Sequence, residues 1–187
     1  MGRLIVEQVV TADGYTQDAN GSIDFFIADA IVSGDDREQL VMMQSVDAIV
    51  LGAVTYRMCS QYWPNVTPDA EPIAEPINRL PKHVVSNTLD RAPWGDDVAE
   101  VERGDGVESI RALKTRYSGD LIVWGSLTLV DDLFAAGLVD VLRLRIVPRL
   151  LGEGRSIAPA SLGLTSLELT GSQVHPGGQV TLQYAVS

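Results

Sequence analysis

The stretch from Asp120 to Gly154, DLIVWGSLTLVDDLFAAGLVDVLRLRIVPRLLGEG, leaves this chain few folds to adopt. Leu121 to Trp124 is a short apolar run that ends on Gly125-Ser126. Helical spacing follows, with Leu127, Val130 and Phe134 on one stripe and Leu133 and Gly137 beside it. Leu138 to Val147 then reads as a long strand, stopped by Pro148 and by a Gly-x-Gly turn at Gly152 and Gly154. The order is buried strand, tight turn, helix, strand. A glycine at such a junction lets another molecule come close to the backbone. The helix start aims its free N–H groups at the same place, which suits an anion such as the pyrophosphate of a dinucleotide. The same residues also serve as a plain strand-to-helix connection, with Ser126 as the N-cap.

Other segments repeat the pattern. Leu4 to Val10 suits a first strand, and the Asx-Gly pairs at Asp13-Gly14 and Asn20-Gly21 make a turn-rich loop after it. Asp35 and Asp36 open a helical stretch from Arg37 to Val46. Carboxylates there complement the helix dipole, or supply a proton from a pocket rim. Asp47 to Leu51 is a second buried strand and runs into Gly52-Ala53-Val54-Thr55, a second glycine-to-helix junction. Pro64 to Pro81 carries five prolines and reads as a loop around a short helix. Lys82 to Val85 is a third strand and ends on Ser86-Asn87-Thr88, side chains equally suited to phosphate contacts and to turns. Val98 to Val101 reads as a short strand and Val107 to Tyr117 as a helix. Leu167 to Val174 and Gln179 to Val186, joined at Pro176-Gly177-Gly178, form a hairpin.

Strands alternating with helices, then a strand-rich end, predict an α/β fold. Its central sheet is mostly parallel, with antiparallel C-terminal strands and flanking helices. Ligands of such sheets sit outside the carboxyl ends of the strands, and three ends here, at Gly52, Ser86 and Gly125, carry small or hydroxyl residues.

Composition removes several classes. Fourteen Lys and Arg against 25 Asp and Glu give a net charge of −11, and no basic cluster offsets it, so nucleic acid is not the expected partner. Cys59 is the single cysteine, which precludes an intrachain disulfide and fits the cytoplasm. The N-terminus resembles neither a signal peptide nor a membrane span. No G-x-G-x-x-G follows the first strand, no G-x-S-x-G occurs, and His83 and His175 lie far apart and near no Cys, so no metal site is expected.

In order and spacing, Asp13-Gly14, Leu51-Gly52-x-x-Thr55-Tyr56, Val85-Ser86-Asn87-Thr88-Leu89, Val123-Trp124-Gly125-Ser126, Gly137-Leu138-Val139-Asp140 and Leu151-Gly152-Glu153-Gly154-Arg155 carry a resemblance. From Leu4 to about Val186 the chain resembles the dihydrofolate reductase-like superfamily, and more closely the branch holding the reductase domain of the bifunctional riboflavin-biosynthesis deaminase/reductase. The resemblance implies a single reductase domain over residues 1–187, NADPH as cofactor, a homodimer, and hydride transfer to a C=N or C=O of a pterin-like or ribosylamino-pyrimidine substrate. It also implies that Gly52, Ala53, Val54 and Thr55 face the cofactor phosphates. Ser86 and Asn87 would lie by the adenosine ribose phosphate, and Gly125, Ser126, Leu127, Thr128 and Leu129 by the pyrophosphate and nicotinamide. Asp36 falls near the position of the active-site acid of dihydrofolate reductases. Ala53 stands where the family often has Arg, and Gly125-Ser126 where dihydrofolate reductases have Gly-Gly, often with a cis bond. A cis peptide before Ser126 would be a costly non-proline one. The alternative is a module that keeps the fold and has lost hydride transfer.

Overall fold

The computed structural model describes residues 2–25, 37–159 and 161–187. Six parallel strands form the centre: β1 (Leu4–Thr11), β3 (Val46–Gly52), β4 (Lys82–Val85), β6 (Asp97–Glu102), β7 (Asp120–Trp124) and β8 (Val141–Val147). They lie in the order β8-β1-β7-β3-β4-β6. Antiparallel strands finish both edges: β10 (Leu167–Val174) and β11 (Val180–Val186) beside β8, and β5 (Ala92–Trp94) beside β6. A two-stranded ladder of β2 (Tyr15–Gln17) and β9 (Arg155–Ser156) stands apart. The helices are α1 (Arg37–Met43), α2 (Ala53–Tyr62), α3 (Ala74–Arg79), α4 (Gly106–Arg116) and α5 (Leu127–Ala135). A mostly parallel sheet with antiparallel C-terminal strands is the architecture that the alternating pattern predicts.

The central strands are near-continuous apolar runs because both faces are covered. On one face Leu4, Val6, Val50 and Val123 meet α4 and α5 through Ile110, Leu113, Val130 and Leu133. On the other, Ile5, Ile49, Leu51 and Ile122 meet Met43 of α1, Tyr56 of α2 and Ile77 of α3. Alternate residues of one strand therefore serve two cores.

Some elements differ from the sequence reading. β8 starts at Val141 and not at Leu138, because Leu138 and Val139 are buried under α4. There the Lys114 ammonium bonds the Leu138 carbonyl and pairs with Asp140, whose carboxylate also accepts from the Leu4 N–H at 2.6 Å. α1 ends at Met43, and Val46 opens β3. β5, β2 and β9 were not predicted. β5 contains Pro93, which removes a donor and is tolerated only at an edge, and β2 and β9 are too short for a period to show.

Asp120 ties three segments together. Its carboxylate accepts from the Arg3 backbone N–H at 3.2 Å, from the Arg3 guanidinium at 3.0 and 2.6 Å, and from the Ser45 hydroxyl at 2.9 Å. Burial alone would raise its pKa, but the bonds from Arg3 and Ser45 outweigh that and hold it below the ordinary 3.8. A carboxyl lowered in the fold stabilises fully above its unfolded pKa, and that contribution disappears as pH falls through the folded value. Asp120→Asn is therefore expected to cost about 1–3 kcal/mol at pH 7. The gap to wild type should close below pH 3.8, as urea unfolding at several pH values will read.

Candidate functional site

β7, β3 and β4 are neighbours, so the three predicted strand ends, Gly125, Gly52 and Ser86, come side by side. They border a cavity of about 900 Å³ that crosses the carboxyl ends of all six parallel strands, from Arg145 on β8 to Gly104 just beyond β6. All eleven residues predicted to hold a cofactor, from Gly52 to Thr55, Ser86 and Asn87, and Gly125 to Leu129, line it. Asp36, the predicted proton donor, lies outside the described residues.

Two helix starts meet at the centre. The Ser126 N–H donates to the Thr55 hydroxyl oxygen at 2.9 Å, and the Ser126 hydroxyl accepts from the Gly52 N–H at 2.7 Å. That hydroxyl donates in turn to the Trp124 carbonyl at 2.8 Å. The beginnings of α2 and α5 are thus clasped to each other. Ser126 is the N-cap of α5 by position, but its side chain makes no cap bond, being committed to the clasp, and Gly52 caps α2 with no side chain at all. The first-turn N–H groups of both helices have no acceptor within their helix, and both starts line the cavity.

The clasp explains the local backbone. Gly125 has φ +54° and Ser126 has φ 52°, both left-handed. No peptide among the described residues is cis, so the junction turns through these two residues. A Cβ on Gly125 would stand 2.7 Å from the Thr55 hydroxyl oxygen. Glycine is therefore required here by Thr55 as well as by φ, whatever ligand the cavity holds. The Gln8 side-chain amide, buried on β1, donates to the Gly125 carbonyl and fixes the turn from the other side.

At β4 the side chains form turns. The Ser86 hydroxyl oxygen accepts from the N–H groups of Thr88 and Leu89, each at 3.2 Å, and Asn87 clamps Gly104 through both its amide atoms. Both residues still border the cavity. Arg103, which the sequence reading passed over, donates to the Leu89 carbonyl at 2.7 Å and braces the same turn.

The sequence reading also missed the far end. Glu7, on β1 and 5 % exposed, lines the cavity. One of its oxygens accepts from Gln39 at 2.8 Å and from the Trp124 indole at 3.0 Å, and the other from Arg143 Nε at 2.5 Å. The rest of the Arg143 fork holds both oxygens of Glu38. Burial would raise the Glu38 carboxyl, but Arg143 holds it below its ordinary range. An acid inside an apolar strand was the available signal, since a buried charge demands a partner. Two ionisable cavity groups are poor acids: burial pushes the Cys59 thiol up to about 12, and the bond to Glu71 pushes the Tyr62 phenol up to about 12.

His83, Glu100 and Glu102 are near enough to hold a cation. His83 is fully buried between Glu102 at 2.8 Å and the Tyr117 hydroxyl at 2.9 Å, and Glu100 is paired with Arg116. The three are joined within the protein's own bonding network, away from the cavity.

The fold is thus a mostly parallel α/β sheet with a ligand-sized cleft across the carboxyl ends of its strands. Residues 3–181 match the RibD C-terminal domain model, and the chain belongs to that family. It is 27% identical over 184 residues to the uncharacterized protein YyaP of Bacillus subtilis, covering 97% of this chain and 94% of that one. A putative riboflavin biosynthesis protein from Shewanella sp. PV-4 superposes with a TM-score of 0.77 at 22% identity, covering 99% of both chains. The dihydrofolate reductase of Enterococcus faecalis, complexed with NADP(H) and RAB-propyl, gives a TM-score of 0.65 at 14% identity, covering 100% of this chain and 97% of that one.

The clasp can be tested without any ligand. Gly125→Ala meets both the Thr55 contact and the left-handed backbone, and should cost about 2–4 kcal/mol. In a Thr55→Ala background the steric part is gone, and the remaining cost should fall to the left-handed penalty of about 1–2 kcal/mol. A double-mutant cycle by urea unfolding reads the coupling, and strictly additive costs would show that Thr55 does not restrict Gly125.

Proposed function

We propose that this chain is an NADPH-dependent reductase of small molecules, working as a single reductase domain over residues 1–187. The observation that carries the reading is the pair of clasped helix starts, at Gly52 to Thr55 and Ser126 to Leu129, on one cavity with Ser86 and Asn87. Those residues fit an anionic dinucleotide: rigid backbone donors face the cavity in an otherwise acidic chain, and the two helix dipoles converge there. Bound there, the nicotinamide would supply the hydride. The protein's part is to hold the cofactor phosphates at the helix starts, keep the Gly125 turn fixed through Gln8 and Thr55, and present a substrate over β1 and β8. The substrate on this reading has a C=N or C=O in a pterin-like or ribosylamino-pyrimidine ring, and Asp36 is the proposed proton source. The NADP(H) of the Enterococcus dihydrofolate reductase complex supports the cofactor, and the family supports the reaction type.

Two further parts of the reading are a homodimer and a cytoplasmic location. β10 is a sheet edge with Leu169 and Val174 more than half exposed, a surface that natural sheets cover or pair. Among the described residues no helix is long and apolar enough to cross a membrane.

Fluorescence titration with NADPH and NADH tests the cofactor. Ala53 offers no charge at the start of α2, and Lys82 is not available as a substitute, being bonded to the Asn78 carbonyl and packed over Trp94. A fork of charged donors adds about 1.5 kcal/mol over a neutral partner, which is roughly tenfold. Ala53→Arg should raise NADPH affinity about tenfold and leave NADH affinity nearly unchanged. Wild-type protein that binds neither nucleotide would overturn the reading. Binding of NADPH with no turnover of any C=N or C=O substrate would leave a nucleotide-binding module. Light scattering that gives the monomer mass at micromolar concentration would remove the dimer.

A further inference from the structure

The cavity has two chemically different ends. At β3, β7 and β4 its described lining carries helix starts and neutral hydroxyl or amide side chains, with no cation. At β8 it has a cation. Of the described residues that line it, only Arg145 and Arg155 are positively charged. Arg155 is spent on Asp131 of α5. Arg145 makes no hydrogen bond and no ion pair among the described residues, though its charge helps to hold the Glu38 carboxyl low. A half-buried guanidinium without a bonded partner among the described residues is unusual in a chain with 25 acids, since a guanidinium carries five donors.

Its position follows from strand register. Arg143 and Arg145 project from the same face of β8, two residues apart, opposite Glu7 and Val9 of β1. Arg143 is 1 % exposed and its fork is filled by Glu7 and Glu38. Arg145 lies one pleat nearer the carboxyl ends of the strands, where the cavity opens. One arginine therefore completes the buried network, and the next faces the ligand space.

We infer that Arg145 is a specificity residue that binds an anionic group, a phosphate or a carboxylate, on the substrate. β8 is two strands from β7, so Arg145 is about 10 Å from the Gly125 turn at the usual strand spacing. That span suits a substrate whose reacting ring is at β7 and whose acidic arm reaches β8. The inference rests on the reductase reading for the position of the ring, but not for the anion. The competing role is a counter-charge: Glu7 and Glu38 carry two negative charges against one on Arg143, and Arg145 balances the fourth place of that set. A counter-charge would affect stability and leave ligand choice unaltered.

The full chain, with and without saturating NADPH, is titrated with two matched pairs of probes. One pair is a ribosylaminopyrimidine with and without its 5′-phosphate. The other is dihydrofolate against its diamide, in which both glutamate carboxylates are amidated and neutral. In wild type the anionic member of at least one pair should bind about tenfold or more tightly, the worth of a charged hydrogen bond. Which pair responds identifies the anion. Arg145→Gln should erase that preference without moving NADPH affinity, and Arg145→Lys should keep part of it, since the charge remains without the fork. Thermal melting of each variant checks that the fold survives. Anionic members that bind no tighter than their neutral twins, or not at all, overturn the inference, as does a preference that persists in Arg145→Gln. Failure of NADPH to bind is read separately, and removes the reductase reading while leaving any anion preference standing.

Discussion

The contact between Ser126 and the start of α2 governs the functional end of this molecule. Parallel strands bring their carboxyl ends to one edge, but nothing in a sheet aligns the helices that leave it. Here the Thr55 hydroxyl accepts the Ser126 N–H and the Ser126 hydroxyl accepts the Gly52 N–H, so two helix starts on adjacent strands share one set of bonds. The cost is a left-handed serine, about 1–2 kcal/mol of strain. In exchange, the first turns of both helices border the cavity in a fixed arrangement. The clasp also decides the residue before it, since Thr55 leaves no room for a Cβ at Gly125.

A second constraint operates at the other end of the same edge. Glu7 and Arg143 are buried charges on neighbouring central strands, and neither is tolerable without the other. Gln39 and the Trp124 indole complete the bonding of Glu7, while Glu38 completes that of Arg143. This network carries β7, β1, β8 and α1 into one rigid wall. Its net effect is registry as much as stability, because a one-residue slip of β8 would turn Arg143 toward the opposite hydrophobic core, away from Glu7 and Glu38.

Much of this was legible in the sequence, for identifiable reasons. Strand-to-helix junctions at Gly52 and Gly125 follow from apolar runs that stop on small residues, and adjacency of their strands then brings the predicted cofactor residues onto one cavity. The tail hairpin was visible in its Pro-Gly-Gly turn. What stayed hidden was pairwise. Ser126 looked like an ordinary N-cap, and only its neighbour across the sheet, Thr55, shows why its hydroxyl does something else. Gly125 looked like space for a ligand, yet its first requirement is internal. Glu7 and Arg143 are 136 positions apart, and no local period marks them as partners. Edge strand β5 was concealed by Pro93, and Ser86 gave both of its possible meanings until the bonds to Thr88 and Leu89 were visible.

The net charge of −11 gives these two ends different physical characters. A cleft lined by lysines would hold an anion strongly, but each ammonium would need desolvation and its own counter-ion. Helix starts avoid this: their partial charges are built into the backbone, do not titrate, and are already oriented before a ligand arrives. Such donors work at short range and discriminate little between one anion and another. A guanidinium does the reverse, since its charge acts at longer range and its planar fork selects carboxylate and phosphate geometry. On the reading proposed above, the cavity combines non-selective dipoles over β3 and β7 with one selective cation over β8, the one described lining cation that has no described partner. Bulk salt screens exposed full charges over about 8–10 Å at physiological strength, whereas contact dipoles inside a cleft are much less affected. On the reductase reading, rising ionic strength should therefore weaken the substrate end more than the cofactor end, and the two halves of one cleft would be tuned separately.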